Sequence, residues 1–154
     1  MPIFSEEQLF PEDVPFKRSS EPNRLMWISE VGGLNQFGSF IEILQPGGTS
    51  SLKHWHSSED EMIYVIEGAV TVIEGDKVKE ATAGDAITFK AGVPVGHYLE
   101  NRSNTPSKCL VVGTRANYDR ITYPDHNRVC IRDRSKEDDI WVDFDGNPAY
   151  SPYR

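Results

Sequence analysis

Three histidines and one glutamate fall where a metal ion could be held. His54, His56 and Glu61 lie within the stretch Gly48 to Gly68, G-T-S-S-L-K-H-W-H-S-S-E-D-E-M-I-Y-V-I-E-G, and His97 lies in V-P-V-G-H-Y-L-E-N. Side chains alternate faces along an extended chain, so His54 and His56 share one face while Lys53 and Trp55 take the other. Glu61 follows the short polar turn S-S-E-D, and antiparallel return of the chain there would carry its carboxylate back beside the imidazoles. His97 is expected from a strand further along, closing the site from another side. The chain has only four histidines, so these two segments hold all but His126.

Neutral imidazoles with a carboxylate and no thiolate suit a divalent first-row metal: manganese, iron, cobalt, nickel, copper or zinc. Four such ligands on an ion that accepts about five or six leave room for a small-molecule ligand. A substrate with neighbouring oxygens would chelate there, and the metal would polarise a carbonyl or stabilise an enediolate. Iron-dependent dioxygen chemistry is the alternative, although the usual facial triad has two histidines and one carboxylate. A third reading is a non-enzymatic sensor whose metal anchors a ligand. The residue types leave this choice open, and no general base stands out.

The elements that must position these residues read as strands. Short apolar runs at Leu25 to Ser29, Ser39 to Leu44, Leu52 to His56, Met62 to Ile66, Ala69 to Glu74, Ala86 to Phe89, His97 to Asn101 and Cys109 to Thr114 alternate with turn signals such as Q-P-G-G, E-G-D and A-G-V-P-V-G. Many short strands at such spacing make an all-β sandwich or barrel. We expect an N-terminal arm over residues 1–24, with a capped helical turn at Ser5 to Gln8. A barrel follows over 25–115, then an extension over 116–154 whose Trp141, Phe144 and Tyr150 pack on the barrel exterior or on a partner.

At 154 residues the chain suits one domain. A formal charge of -8 disfavours nucleic acid and anionic membranes as partners. No apolar run approaches the ~20 residues of a membrane span, and the N-terminus lacks a basic-then-apolar leader, so a cytoplasmic location is expected. Cys109 and Cys130 have no metal or redox spacing and no disulfide is expected between them; Cys109, in the apolar run C-L-V-V-G, reads as a small buried hydrophobe.

The spacing Gly48, five residues, His54-x-His56, four residues, Glu61, six residues, Gly68 resembles the first motif of the cupins. Gly84, Phe89, Gly92, His97 and Asn101 are similar to the second, with Lys90 in place of proline and four residues instead of two between Gly92 and His97. Gly33 to Gly38, Gly96 to Ser103, Val112 to Arg115, Tyr123 to Asp125 and Asp145 to Tyr150 extend the likeness to a subgroup of small single-domain cupins loosely labelled sugar-phosphate isomerases. The resemblance implies a jelly-roll β-barrel of two antiparallel sheets, a metal inside held by His54, His56, Glu61 and His97, and a homodimer. It makes a metal-dependent isomerase of sugars or sugar phosphates the favoured function.

Strand phase directs Tyr64 and Tyr98 away from the metal and makes Leu99 a cavity wall. Asn101 is expected to stabilise a turn, and His126 to sit in an exposed loop. Arg102 and Arg115 are expected in exposed ion pairs, and Glu59 in a surface turn. Glu42, in F-I-E-I-L, is expected to face solvent, with a role as an acid-base group in the cavity as the other possibility.

Overall fold

Alternation of apolar side chains decides which face of each strand turns inward. The computed structural model describes residues 1–14 and 22–153. Its strands are β1 (Phe10–Val14), β2 (Asn23–Trp27), β3 (Phe37–Leu44), β4 (Trp55–His56), β5 (Glu61–Glu67), β6 (Ala69–Glu74), β7 (Lys77–Thr82), β8 (Ala86–Phe89), β9 (His97–Glu100), β10 (Ser107–Thr114), β11 (Tyr118–Tyr123), β12 (Arg128–Asp133) and β13 (Ile140–Val142), with one short helix, α1 (Ile28–Gly32). Among the described residues no helix is long and apolar enough to cross a membrane.

One wall is a six-stranded antiparallel sheet in the order β1, β2, β3, β10, β5, β8. The facing wall is made of a four-stranded sheet, β13, β12, β11, β4, and a three-stranded sheet, β7, β6, β9. Isolated bridges from Thr49 to Glu100 and from His54 to His97 tie those two sheets together. Leu44, Ile63, Val65, Val70, Phe89, Leu99, Cys109 and Val111 form the core between the walls. This two-walled antiparallel architecture is the expected all-β barrel. Both cysteines are buried and free.

The segment expected as an arm adds strands to the sheet: β1 pairs with β2, and β2 with β3. Residues 15–21 of that segment lie outside the described residues. The Ser5 turn forms, with the Gln8 side chain accepting the Ser5 N–H at 2.9 Å. The extension over 118–142 does more than pack outside, because β11 pairs with β4 and its Ile121 and Tyr123 turn inward. The expected strand from Leu52 shrinks to β4, since the chain crosses there between β9 and β11 rather than running along one neighbour. Strand β7, absent from the expected set, is a charged sheet edge with only Ala81 buried.

Two glycines mark where the motif spacing is fixed by close approach. At Gly48 a Cβ would meet the Asn23 side-chain oxygen and the Gln45 carbonyl at 2.9 Å. Gly68 has φ +76° and would put a Cβ 3.1 Å from both the Pro106 carbonyl and Ser107 Cα. Gly84 also has positive φ, +98°, but nothing lies within 4 Å of its Cβ position. Gly68→Ala should therefore cost ~1–3 kcal/mol and exceed the cost of Gly84→Ala, which bears backbone strain alone. Urea denaturation of both variants measures this; equal costs would contradict the close contact at Gly68.

Candidate metal centre

The His54 and His97 backbones bond to each other in both directions, His54 N to His97 O at 3.2 Å and His97 N to His54 O at 2.9 Å. Cross-strand partners have neighbouring side chains, and the two rings lie 5.1 Å apart. His97 is thus the immediate neighbour of His54, not a ligand from another side. Glu61 is the one that comes from across the barrel, because β5 pairs with β10 and β8 rather than with β4. Residues 57–60 therefore cross between sheets instead of forming the hairpin expected from the sequence.

The four side chains meet inside the barrel. His97 Nε2 is 2.8 Å from Glu61 Oε2, and His54 Nε2 and His56 Nε2 are each 3.9 Å from the same oxygen. The ligating atoms of His54, His56 and Glu61 all lie within 4.8 Å of one another; His97 stands outside that mutual group but bonds to Glu61. Two atoms bound to one ion at ~2.1 Å are ~3.0 to 3.4 Å apart at octahedral or tetrahedral angles, so small movements suffice.

The tautomers also fit a metal. His54 Nδ1 donates to the Leu52 carbonyl at 2.8 Å, and His56 Nδ1 donates to Asp119 Oδ2 at 2.6 Å. Each ring thereby turns a bare Nε2 toward Glu61. His97 is fixed by stacking on Phe89 at 3.6 Å. Its hydrogen bond to Glu61 is the contact a cation would replace.

The electrostatics follow from burial and neighbours. Burial pushes Glu61 up, but the His97 hydrogen bond and the charges of His56, His54 and His97 outweigh it and hold the carboxyl at about 2. Burial pulls His54 down to about 4, against the pull of Glu61. Burial also opposes protonation of His56, yet Asp119 and Glu61 raise it above the ordinary value. A neutral imidazole at His54 and an ionised Glu61 are the states a metal needs.

Several supporting residues carried no signal in the sequence. Asp119 is fully buried and accepts from His56, from Ser57 Oγ at 3.0 Å and from Ser58 N at 2.9 Å. Its place is set by β11 pairing with β4, a contact between distant segments. Tyr123 stacks on His54 at 5.6 Å and meets Tyr153 edge-on at 5.8 Å. Glu59 is buried, not a surface turn residue, because it accepts from Ala116 N at 3.0 Å and pairs with Arg134 at 2.7 Å.

A cavity of about 260 Å³ opens on the cluster, walled by Leu25, Phe40, Ile63, Phe89, Leu99 and Val111 among others. Leu99 is a wall as expected. Tyr98, read as pointing away, also borders the cavity, since it sits between His97 and Leu99 on β9. Glu42 borders it too and is 3% exposed, which overturns its expected solvent position. The reason is strand phase: Phe40, Glu42 and Leu44 share the inward face of β3, and Leu44 is in the core. Tyr64 is exposed, and Trp55 faces a separate pocket with Lys90 and Val93. Asn101 holds its turn through Leu44 O and Thr105 O, both at 2.8 Å. Arg102 pairs with Glu100 and Arg115 with Glu30, and His126 is exposed.

Loss of the Asp119 charge and of one of its two accepting oxygens should loosen His56. Asp119→Asn is expected to weaken metal binding ~10- to 100-fold while the fold persists, as read by competition with a chelator; unchanged affinity would remove Asp119 from the centre. Glu42 gives a pH prediction. Burial first, and the Glu61 charge second, raise its carboxyl from 4.5 to about 8. Between those values the folded protein keeps a proton that the unfolded chain has lost, so this contribution to stability falls as pH rises. Metal-free Glu42→Gln should gain on the metal-free parent by at most ~1.4 kcal/mol per pH unit from about pH 5 to 8, and denaturant titrations at several pH values would expose a flat difference.

Residues 40–113 match the cupin domain family. A solved structure of a sugar phosphate isomerase of the cupin superfamily from Silicibacter pomeroyi is 29% identical, with TM-score 0.85, over 97% of this chain and 98% of that one. A putative sugar phosphate isomerase from Acidithiobacillus ferrooxidans shares the fold at 23% identity and TM-score 0.75, over 84% and 81% of the two chains. An uncharacterized protein of Methanocaldococcus jannaschii is 32% identical over 72 residues, 47% of this chain. That match spans 56% of the relative's own length. The antiparallel barrel and the matched segment carrying His54, His56, Glu61 and His97 make residues 40–113 a cupin domain.

Proposed function

We propose that this cupin is a metal-dependent enzyme that isomerises a small sugar or sugar phosphate. The observation that carries this reading is the convergence of three imidazole Nε2 atoms and one carboxylate on a cavity large enough for a small molecule. The likeness to a Silicibacter pomeroyi protein called a sugar phosphate isomerase supports it, at 29% identity over nearly the whole of both chains.

A divalent first-row ion held by His54, His56, Glu61 and His97 would supply Lewis-acid polarisation of neighbouring substrate oxygens. The chain supplies the rest. Leu52 and Asp119 keep the Nδ1 protons of His54 and His56 turned away from the cavity. Phe40, Ile63, Leu99 and Val111 limit water around the substrate. Ser50 Oγ accepts from Leu99 N at 2.9 Å, and its residue borders the cavity, which leaves the hydroxyl proton available to a substrate oxygen. Arg132, a cation at the cavity wall, is already held by Asp139 at 2.8 Å. Free sugars therefore belong beside phosphorylated ones in any assay.

The test is a panel of free and phosphorylated aldoses and ketoses, run with protein loaded separately with manganese, iron, cobalt, nickel and zinc. Interconversion of at least one aldose–ketose pair is expected, together with loss of bound metal and activity in His54→Ala and His56→Ala. No turnover by any metal form would defeat the isomerase reading, and iron-dependent oxygen uptake in its place would establish dioxygen chemistry.

A further inference from the structure

Glu42 takes no part in holding the metal centre, yet its carboxyl borders the same cavity. Its position is built in: the cross-strand partners of Glu42 are Leu25 on β2 and Cys109 on β10, a cavity wall and a core residue. Every other buried carboxyl named above has a protein partner. Glu61 has His97, Glu59 has Arg134 and Ala116 N, and Asp119 has His56, Ser57 and Ser58. Among the described residues no hydrogen bond reaches the Glu42 carboxyl. Phe40, Ile63, Leu99 and Val111, which wall the same cavity, carry no donor.

An unpartnered buried carboxyl is costly, so a fold that retains one directs it at something that enters from outside. Most other titratable groups at this cavity are engaged. The three histidines and Glu61 form the centre. Arg132 is neutralised by Asp139, and burial keeps the Tyr123 hydroxyl protonated.

We propose that Glu42 is the proton carrier of this cavity, the carboxyl that takes a proton from a carbon of the bound sugar and returns it to the adjacent carbon. The assignment rests on the isomerase reading and supplies the base that reading lacks. The Glu42 carboxylate removes the proton beside the carbonyl, and the C–H electron pair becomes the double bond of an enediol. The carboxyl, which exchanges its proton with solvent in a share of turnovers, then delivers a proton to the former carbonyl carbon while the hydroxyl proton passes from one oxygen to the other. No oxidant, reductant or second reactant takes part. Burial, with a smaller push from Glu61, sets the carboxyl at about 8, so both protonation states needed in turn are accessible near neutral pH.

The experiment compares wild type, Glu42→Gln and Glu42→Asp, each loaded with the metal that supports turnover. Metal content, melting temperature, kcat, and solvent deuterium entering the product at the carbon beside the carbonyl are measured. Support is a Glu42→Gln variant that keeps the wild-type metal content and fold but loses ~100- to 10,000-fold in kcat, with deuterium exchange falling in parallel and partial recovery in Glu42→Asp. An active wild type with Glu42→Gln within about threefold of it overturns the role of Glu42 and leaves the isomerase reading standing. Loss of metal from Glu42→Gln overturns it also, by making Glu42 part of the centre. A metal-loaded wild type that neither converts nor exchanges any sugar defeats the isomerase reading, and this assignment with it.

Discussion

One largely enclosed carboxylate oxygen organises the interior of this protein. Glu61 Oε2 receives His97 at 2.8 Å and faces His54 and His56 at 3.9 Å. An ionised carboxyl inside a barrel is tolerable only if positive charge or donors surround it. Here the one donor is His97, with two more imidazoles at 3.9 Å, so the metal-free protein meets that demand with a hydrogen bond where a cation would meet it with two charges. The same constraint sets the neighbouring strands. β5 must deliver Glu61 from the six-stranded sheet, while His54 and His97 come paired on the opposite wall. The centre therefore clamps the two walls together at the point where they face.

That clamp depends on residues beyond the matched cupin segment 40–113. Asp119 fixes the ring of His56, and Tyr123 stacks on His54. Both come from β11, which pairs with β4. Because β4 is only the pair Trp55–His56, two ladder pairs with β11 are what hold it in a sheet at all. The extension thus completes the site wall, and its aromatic residues Trp141 and Tyr153 pack behind Tyr123 as a consequence.

The candidate cluster was legible in part because strand periodicity and glycine spacing act over a few residues. His54-x-His56 shares a face by pleat alone, and Gly48 and Gly68 sit where a Cβ would collide. Which strand neighbours which was not legible. The turn S-S-E-D reads as a hairpin, but residues 57–60 cross between sheets, with Ser57, Ser58 and Asp60 bonded to Asp119 and Thr114. Those partners lie more than fifty residues away, and local chemistry cannot announce them. Glu42 was missed for a related reason. A charge amid F-I-E-I-L suggests the wet face of a strand, whereas the phase of β3 is fixed by Leu44 in the core and carries Glu42 inward with it.

The two inward carboxyls then separate by environment. Glu61 and Glu42 both suffer burial, which alone would raise each of them. Imidazoles reverse that effect at Glu61 and hold it at about 2, while at Glu42 the nearest charge is Glu61 itself, and the carboxyl rises to about 8. A low carboxyl stays anionic and can hold a cation across the physiological range; a high one exchanges its proton there. Moving Glu42 within reach of a histidine would erase the difference. Glu42 instead comes from β3, between Leu25 and Cys109, so the same strand phase that fills the core also sets its two inward acids in different environments.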